Sequence, residues 1–204
     1  MKDTEIIEQF NASTDVEIIS TKTLYKGFFQ LDEYRFKHKL FAGGWSEEVS
    51  REVFERGHAV VVLPYDPVRR QVVLIEQIRL PALATTNSVW LLELVAGMIA
   101  ADEVPSEVAE RELLEETGLT ASEVNLVNSY LATPGGSSER FHFYWAKVDA
   151  SKAKGIHGLD YEHEDIKVHV VDVDAAMEMV NSGRIDNAST VIGLQWLALN
   201  IDKI

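Results

Sequence analysis

Between residues 15 and 56 apolar and polar positions alternate with a rough period of two. The alternation runs through Val16-Glu17-Ile18-Ile19, returns from Phe29 to Lys37, and is followed by a third segment from Glu47 to Phe54. Alternation sends successive side chains to opposite faces of a strand, so these segments predict β structure. Ala42-Gly43-Gly44 lies between the second and third and reads as a turn. The expected product is a small antiparallel unit, too small to be counted on to stand alone. From Arg56 onward the rhythm is mixed. Ala59 to Leu63 is a continuous apolar run, as in a buried strand, and the Pro64-Tyr65-Asp66-Pro67 turn is expected to end it. Gln71 to Ile78 is its expected hairpin partner, and Leu91 to Val95 a short third strand stopped at Gly97. Glu107 to Thr117 has helical spacing, with Ser106 placed to cap its start and Gly118 to end it. Strands are expected at Asn125 to Ala132, Phe141 to Val148 and Ile166 to Val171, and helices at Asp174 to Asn181 and about Ala188 to Asn200. Strands and helices do not alternate regularly. The expected class is therefore mixed α/β (α+β), a mixed sheet sandwiched by helices rather than a doubly wound parallel sheet. Residues 1–55 form the expected N-terminal strand region and residues 56–204 the main domain.

Composition narrows the class. The chain has 204 residues, 46% of them hydrophobic, enough for a real core. Its longest apolar stretches are far too short to span a bilayer. The opening MKDTEIIEQF has no basic and apolar regions of a secretory signal, so the cytoplasm is the expected compartment. With no cysteine there is no disulfide framework, thiolate metal site or cysteine nucleophile. The net charge of −14 repels nucleic-acid backbones and anionic membranes, so neither is an expected partner. It also repels phosphates. An acidic enzyme acting on them needs bound metal ions, a local arginine cluster, or both.

The predicted helix Glu107 to Thr117 carries Glu112, Glu115 and Glu116, which offsets of three and four place on one face. Like charges so placed weaken a helix by a few tenths of a kcal/mol per pair, and hard divalent cations relieve the repulsion. Arg111 lies one turn from both Glu107 and Glu115 and can orient a carboxylate. Such a run is usually only a solvated face. Its surroundings decide otherwise.

Gly97, five residues, Glu103, seven residues and then Arg111-Glu112-Leu113-Leu114-Glu115-Glu116-Thr117-Gly118-Leu119 resembles the Nudix box, a loop-helix-loop of 23 residues, at every defining position. Seven fixed residues, each at roughly one in fifteen, coincide by chance about once in 10⁸ windows. The resemblance implies a Mg²⁺-dependent hydrolysis of the diphosphate bond in a nucleoside diphosphate linked to another group. It implies direct metal ligation by Glu112, Glu116 and the Ala96 carbonyl, with Glu115 a ligand in some members and an outer group in others. Gly97 is expected to turn the chain sharply off its strand, bringing backbone toward ligand or metal. Leu113 and Leu119 are expected to anchor helix and loop in the core.

Three features outside the box resemble the bacterial ADP-ribose pyrophosphatases of this family. Pro134 stands 15 residues after Leu119, within Thr133-Pro134-Gly135-Gly136-Ser137-Ser138-Glu139. Gly158 opens an acidic loop, Leu159-Asp160-Tyr161-Glu162-His163-Glu164-Asp165, of a kind that can swing carboxylates over a site. Leu24 to Phe29, Arg56 to Ala59, Ile75 to Arg79 and Asp186 to Ala188 match as well. That resemblance implies Glu162 as general base and Glu164 as a further metal ligand, although His163 competes on chemistry alone. It implies a homodimer whose N-terminal strands cross to the partner. Phe28 and Phe29 would offer an aromatic face for adenine, and Arg51, Glu52, Arg56 and Arg79 would contact the nucleotide. Met98, Thr133, Pro134, Gly135 and Glu139 would lie near the diphosphate and terminal ribose. Two or three Mg²⁺ ions are implied, with Mn²⁺ as an alternative, and AMP and ribose 5-phosphate as products. Another nucleotide-sugar specificity, or a non-catalytic ADP-ribose sensor, stays open as an alternative.

Overall fold

The computed structural model describes residues 10–204; the first nine residues of the expected N-terminal region lie outside the described residues. Contacts divide the chain into two compact units, Met1–Arg56 with Thr133–Ser138, and Gly57–Ala132 with Glu139–Ile204.

The first unit opens on one helical turn, α1 (Ala12–Asp15), whose Ser13 N–H donates to the Asn11 side chain at 2.9 Å. Three antiparallel strands follow, β1 (Val16–Lys26), β2 (Gln30–His38) and β3 (Val49–Glu55), in the order β1-β2-β3. β1 runs well past the expected Val16–Ile19 because both its faces are exposed along its length, so nothing demands apolar alternation beyond Ile19. Gly43 and Gly44, with φ of 88° and 81°, make the turn before β3. Residues 133–138 join this unit through the Phe54 N–H to the Gly136 carbonyl at 2.8 Å and Ser137 Oγ to the Phe54 carbonyl at 2.9 Å.

The second unit is built on a mixed sheet. Its strands are β4 (His58–Asp66), β5 (Gln71–Ile78), β6 (Trp90–Glu93), β7 (Val95–Ile99), β8 (Glu123–Leu131), β9 (Arg140–Lys147), β10 (Ile156–His157) and β11 (Ile166–Asp172). They pair in the order β10-β11-β5-β4-β9-β8, with β6 added on β5 and β7 on β4. Only β4 and β9 run parallel. The helices are α2 (Pro105–Thr117), α3 (Val173–Asn181) and α4 (Ala188–Asn200). β4 explains the layering. Val60 and Val62 pack with Val108, Ala109 and Leu113 of α2, while Val61, Leu63 and Tyr65 pack with Ala176 of α3 and Leu194 and Leu197 of α4. Buried on both faces, the strand reads as an unbroken apolar run. Each such side chain contributes about 1.5–3 kcal/mol of burial. The sandwiched mixed sheet is the expected fold class.

Three local expectations are corrected. β4 does not end at Pro64 but runs to Asp66. Its edge pairs with β7 at residues 58–62 and with β5 at Tyr65 and Asp66, so Pro64 falls in the gap, where a missing N–H costs the ladder little. Gly97 does not stop a strand either. β6 and β7 are separated by Leu94 alone, and β7 carries Gly97 opposite Val60. Ser106 is not the cap of α2: Val104 is, with Pro105 in the first helical turn, where its fixed φ and absent N–H are tolerated. At the other end Gly118 takes the left-handed conformation, φ 68°, as expected.

Leu94 itself is pinned. Its N–H donates to Thr190 Oγ1 at 3.0 Å, and a Cβ on Gly193 of α4 would come within 2.4 Å of its side chain. Asp66 fastens the β4–β5 turn. Its buried carboxylate accepts from the N–H groups of Val68 (2.9 Å), Arg69 (3.0 Å) and Ala150 (3.0 Å) and pairs with the Arg69 guanidinium at 3.0 Å. Burial pushes against ionisation, but these donors outweigh it and hold the carboxyl below its ordinary value. Asp66→Ala is expected to cost about 3 kcal/mol in a denaturant titration, since it leaves several donors unpaired. Because the folded value is depressed, this stabilisation is present above the ordinary carboxylate range and fades as pH falls through the lowered value. A loss below about 1 kcal/mol would show that water replaces the carboxylate.

Candidate active site

Helix α2 lays two of its carboxylates on consecutive residues of β7. Glu116 is buried, and its Oε2 accepts from the Ala96 N–H at 3.1 Å. One turn earlier, Glu112 lies against Gly97 so closely that an added Cβ there would stand 2.0 Å from its Cδ and Oε1. Glycine is needed at 97 for this approach rather than for a turn. Leu113 and Leu119 are buried in the core beneath, as expected of anchors.

Neither carboxylate is electrostatically comfortable. Burial, then the charges of Glu115 and Glu164, push Glu112 up to about 7 against the pull of Arg111. Glu116 is raised well above the ordinary range, first by burial and then by Glu112 and Glu164, against the Ala96 N–H and Arg79. Arg111 gathers the outer acids. Its Nη1 contacts Glu112 Oε1 at 2.8 Å and Glu115 Oε2 at 3.0 Å, and its Nη2 contacts Glu103 Oε1 at 3.4 Å. The expected pairing with Glu115 is present, but Glu103 and Glu112 replace Glu107, because the loop before the helix folds back: the Ala100 N–H donates to Glu103 Oε2 at 2.8 Å.

The acidic loop is tied to the same helix. The Gly158 N–H donates to the Glu115 carbonyl at 3.3 Å, and Gly158 takes φ 104°, with Glu164 packed where a Cβ would be. Glu164 is half-buried, accepts from the Leu159 N–H at 3.0 Å, and its charge acts on Glu112, Glu116 and Arg79. Glu162 ends a short 3-10 turn, Asp160–Glu162, and is exposed, as is His163, which is left-handed at φ 58°.

Arg79 is held from the sheet. Its Nε lies 3.2 and 3.0 Å from the two oxygens of Glu93, its Nη2 lies 2.9 Å from Oε2, and Gln77 Nε2 donates to the same carboxylate at 3.3 Å. Burial opposes the guanidinium's charge, yet Glu93, Glu116 and Glu164 together raise its pKa further. Glu93 and Gln77 escape the sequence reading. The available signal is a carboxylate inside the apolar run Leu91 to Val95, where an unpaired charge is too costly to keep. Met98 is exposed, whereas Glu139 is buried and helps burial push the Tyr130 hydroxyl up to about 12.

In the N-terminal unit Phe28 is 85% exposed and meets Phe29 edge-on at 4.8 Å; Phe29 meets Phe54 at 5.1 Å and lies under the Arg56 guanidinium at 5.5 Å. A hollow of about 420 Å³ in this unit is lined by Tyr34, Phe36, Arg51, Glu52 and residues 134–138. Thr133, Pro134 and Gly135 are exposed.

Comparison with known proteins shows the family. A model of the NUDIX domain matches residues 55–190, and the chain belongs to the Nudix family, pyrophosphohydrolases that generally use divalent metal ions. It is 58% identical over 186 residues to the ADP-ribose pyrophosphatase of Escherichia coli (strain K12), covering 91% of this chain and 89% of that one. The ADP-ribose pyrophosphatase of Haemophilus influenzae is 47% identical over 199 residues, 96% of this chain and 92% of its own. A solved structure described as an ADP compounds hydrolase superposes with a TM-score of 0.68 over 91% of this chain and 96% of its own, at 19% identity, a likeness of fold.

The residues fit a divalent ion. Among the described residues no three acidic or histidine side chains are already closed into a cage. What is present is a partial set of hard oxygen donors, crowded enough that ionisation is resisted, with water and phosphate left to complete it, the sharing Mg²⁺ prefers. Because Glu112 and Glu116 are raised from about 4.5, the folded metal-free protein keeps protons that the unfolded chain has lost. Their contribution is therefore fully present below about pH 4.5 and is lost as pH rises through the folded values, about 7 for Glu112. An ion displaces those protons. Mg²⁺ is expected to raise the melting temperature more at about pH 8 than at about pH 6, against EDTA controls. An equal or larger rise at the lower pH would remove these carboxylates from the metal site.

Proposed function

We propose that this chain hydrolyses ADP-ribose to AMP and ribose 5-phosphate with Mg²⁺. The observation that carries the reading is the seating of Glu112 and Glu116 on Gly97 and Ala96, in a chain so similar over most of its length to ADP-ribose pyrophosphatases. Glu112, Glu116, Glu164 and the Ala96 carbonyl would hold the ions, two or three Mg²⁺ with Mn²⁺ as an alternative. When bound, such ions neutralise the diphosphate and lower the pKa of water at the site. Glu162 takes a proton as water attacks phosphorus in line and the bridging P–O bond breaks. Its exposed position on a loop anchored to α2 at one end suits a base that must reach substrate. Arg79 balances charge on the diphosphate, Arg111 orients Glu112 and Glu115, and Met98 and Glu139 lie near the diphosphate and terminal ribose.

In the N-terminal unit the exposed face of Phe28, with Phe29 behind it, suits a nucleobase, while Arg51, Glu52, Arg56, Thr133, Pro134 and Gly135 supply further substrate contacts. Residues 56–204 are the hydrolase domain in this reading, and residues 1–55 the region exchanged in a homodimer. Supporting the dimer are apolar side chains left in water, Phe41 at 95% and Ile18 at 53% exposure among them. The expected place of work is the cytoplasm.

The test is incubation of the purified protein with ADP-ribose and Mg²⁺, products being separated by chromatography, with GDP-mannose and NADH in parallel. Selective release of AMP and ribose 5-phosphate, abolished by EDTA, is the expected result. Faster turnover of GDP-mannose would move the specificity to another nucleotide sugar, and binding of ADP-ribose without turnover would make the chain a sensor. The same assay assigns the base. Glu162→Gln should lower kcat by about 10²-fold or more, with His163→Ala within about threefold of wild type. The reverse pattern transfers the role to His163.

A further inference from the structure

Glu93 is a carboxylate where a hydrocarbon is expected. It stands opposite Ile75 in the β5–β6 ladder, on the sheet face where Ile75 packs with the core beneath α2, and is 9% exposed. Gln77, two residues along β5 and so on the same face, is 8% exposed. Burying a carboxylate is seldom the cheapest way to stabilise a fold, and here only Glu93 is buried, the Arg79 side chain it holds being 44% exposed. The buried carboxylate therefore calls for a reason beyond stability. Its geometry supplies one. All three contacts of Arg79 with Glu93 use the Nε and Nη2 edge, and Nη1 takes no partner among the described contacts. Gln77 in turn holds the carboxylate from the side. The charges of Glu116 and Glu164 act on this guanidinium, so one left untethered would be drawn toward oxygens a metal needs.

We propose that Glu93 and Gln77 are positioning residues: they grip Arg79 by one edge, present its Nη1 edge to an anionic diphosphate, and keep the guanidinium off Glu116 and Glu164. The inference rests on the reading that this site hydrolyses a nucleoside diphosphate derivative. It differs from a structural role in what it changes. Loss of the grip should weaken substrate binding and raise the Mg²⁺ requirement together, and both effects should vanish once Arg79 is gone.

The experiment is a double-mutant cycle of Glu93→Gln and Arg79→Ala, measuring kcat, KM and the Mg²⁺ concentration for half-activity, with melting curves for each variant. Glu93→Gln is expected to raise KM for ADP-ribose about tenfold and the Mg²⁺ requirement several-fold, with kcat changed by less than about threefold. On the Arg79→Ala background the same change should cost less than about twofold. An unchanged KM and Mg²⁺ requirement in Glu93→Gln, or an equal loss with and without Arg79, overturns the proposal. Should Glu93→Gln fail to fold, Gln77→Leu decides by the same readouts, with an expected KM rise of about threefold that disappears without Arg79. If wild-type protein turns over GDP-mannose instead, the ADP-ribose reading fails while the cycle, run on that substrate, still judges the grip.

Discussion

Glu116→Gln should lower kcat for ADP-ribose by about 10³-fold or more while leaving the protein folded. The substitution keeps shape and hydrogen bonding: the amide oxygen can still accept from the Ala96 N–H, which Glu116 Oε2 holds at 3.1 Å. What disappears is charge. In the metal-free protein that is no loss, because Glu116 is buried and repelled by Glu112 and Glu164, so the variant should melt at or above the wild-type temperature in EDTA. With Mg²⁺ the order should reverse, since an ion stabilises only a protein that binds it. Product chromatography measures the first effect and paired melting curves the second. Turnover near wild type would show that Glu116 is no ligand and that its burial has another reason.

Gly97→Ala should be nearly as damaging, by a different route. The new methyl would stand 2.0 Å from the Glu112 carboxyl carbon and 2.4 Å from its Cγ, far inside contact distance. The strand cannot give way easily, because β7 is laddered to β4 with Gly97 opposite Val60. Glu112 must therefore swing off, and a displacement of about 1 Å at a reacting centre commonly costs about 10²-fold in rate. Stability should fall by no more than about 1–2 kcal/mol, since the ladder stays intact and the side chain that moves is half-buried. A loss of about 10²-fold in kcat with a cooperative melting curve shifted down by only a few degrees is the expected pair of results. Full activity would mean that Glu112 works from some place other than the seat on Gly97.

The contrast between residues 97 and 112 shows what a sequence can convey. Glu112 and Glu116 were legible because helical period and flanking residues are both local. The need for glycine at 97 was legible too, but its cause was not: a turn is a local guess, whereas the obstruction comes from a helix fifteen residues on. β5 and α4 carry the expected bounds, Gln71–Ile78 and Ala188–Asn200, because both are dense in apolar residues that must be covered. β1 extends beyond its readable part because an exposed strand carries no apolar pattern. The role of Glu93 and Gln77 is hidden for a third reason, although a carboxylate within the apolar run Leu91 to Val95 marks Glu93 as unusual. Their meaning lies in a cross-strand partnership, and no spacing along the chain encodes it.

Leu94 has a consequence of its own. It is the single residue at which the chain lets go of β5 and takes hold of β4, and it is fixed from outside by Thr190. Glu93, which tethers the cation, and Ala96, which seats the anion, are therefore joined by a covalent span of about 10 Å at full stretch. The peptide acts as a gauge block between opposite charges, machined to one length. One added residue between Glu93 and Gly97 would lengthen that span and turn the side chains of β7 beyond it to the opposite face of the sheet.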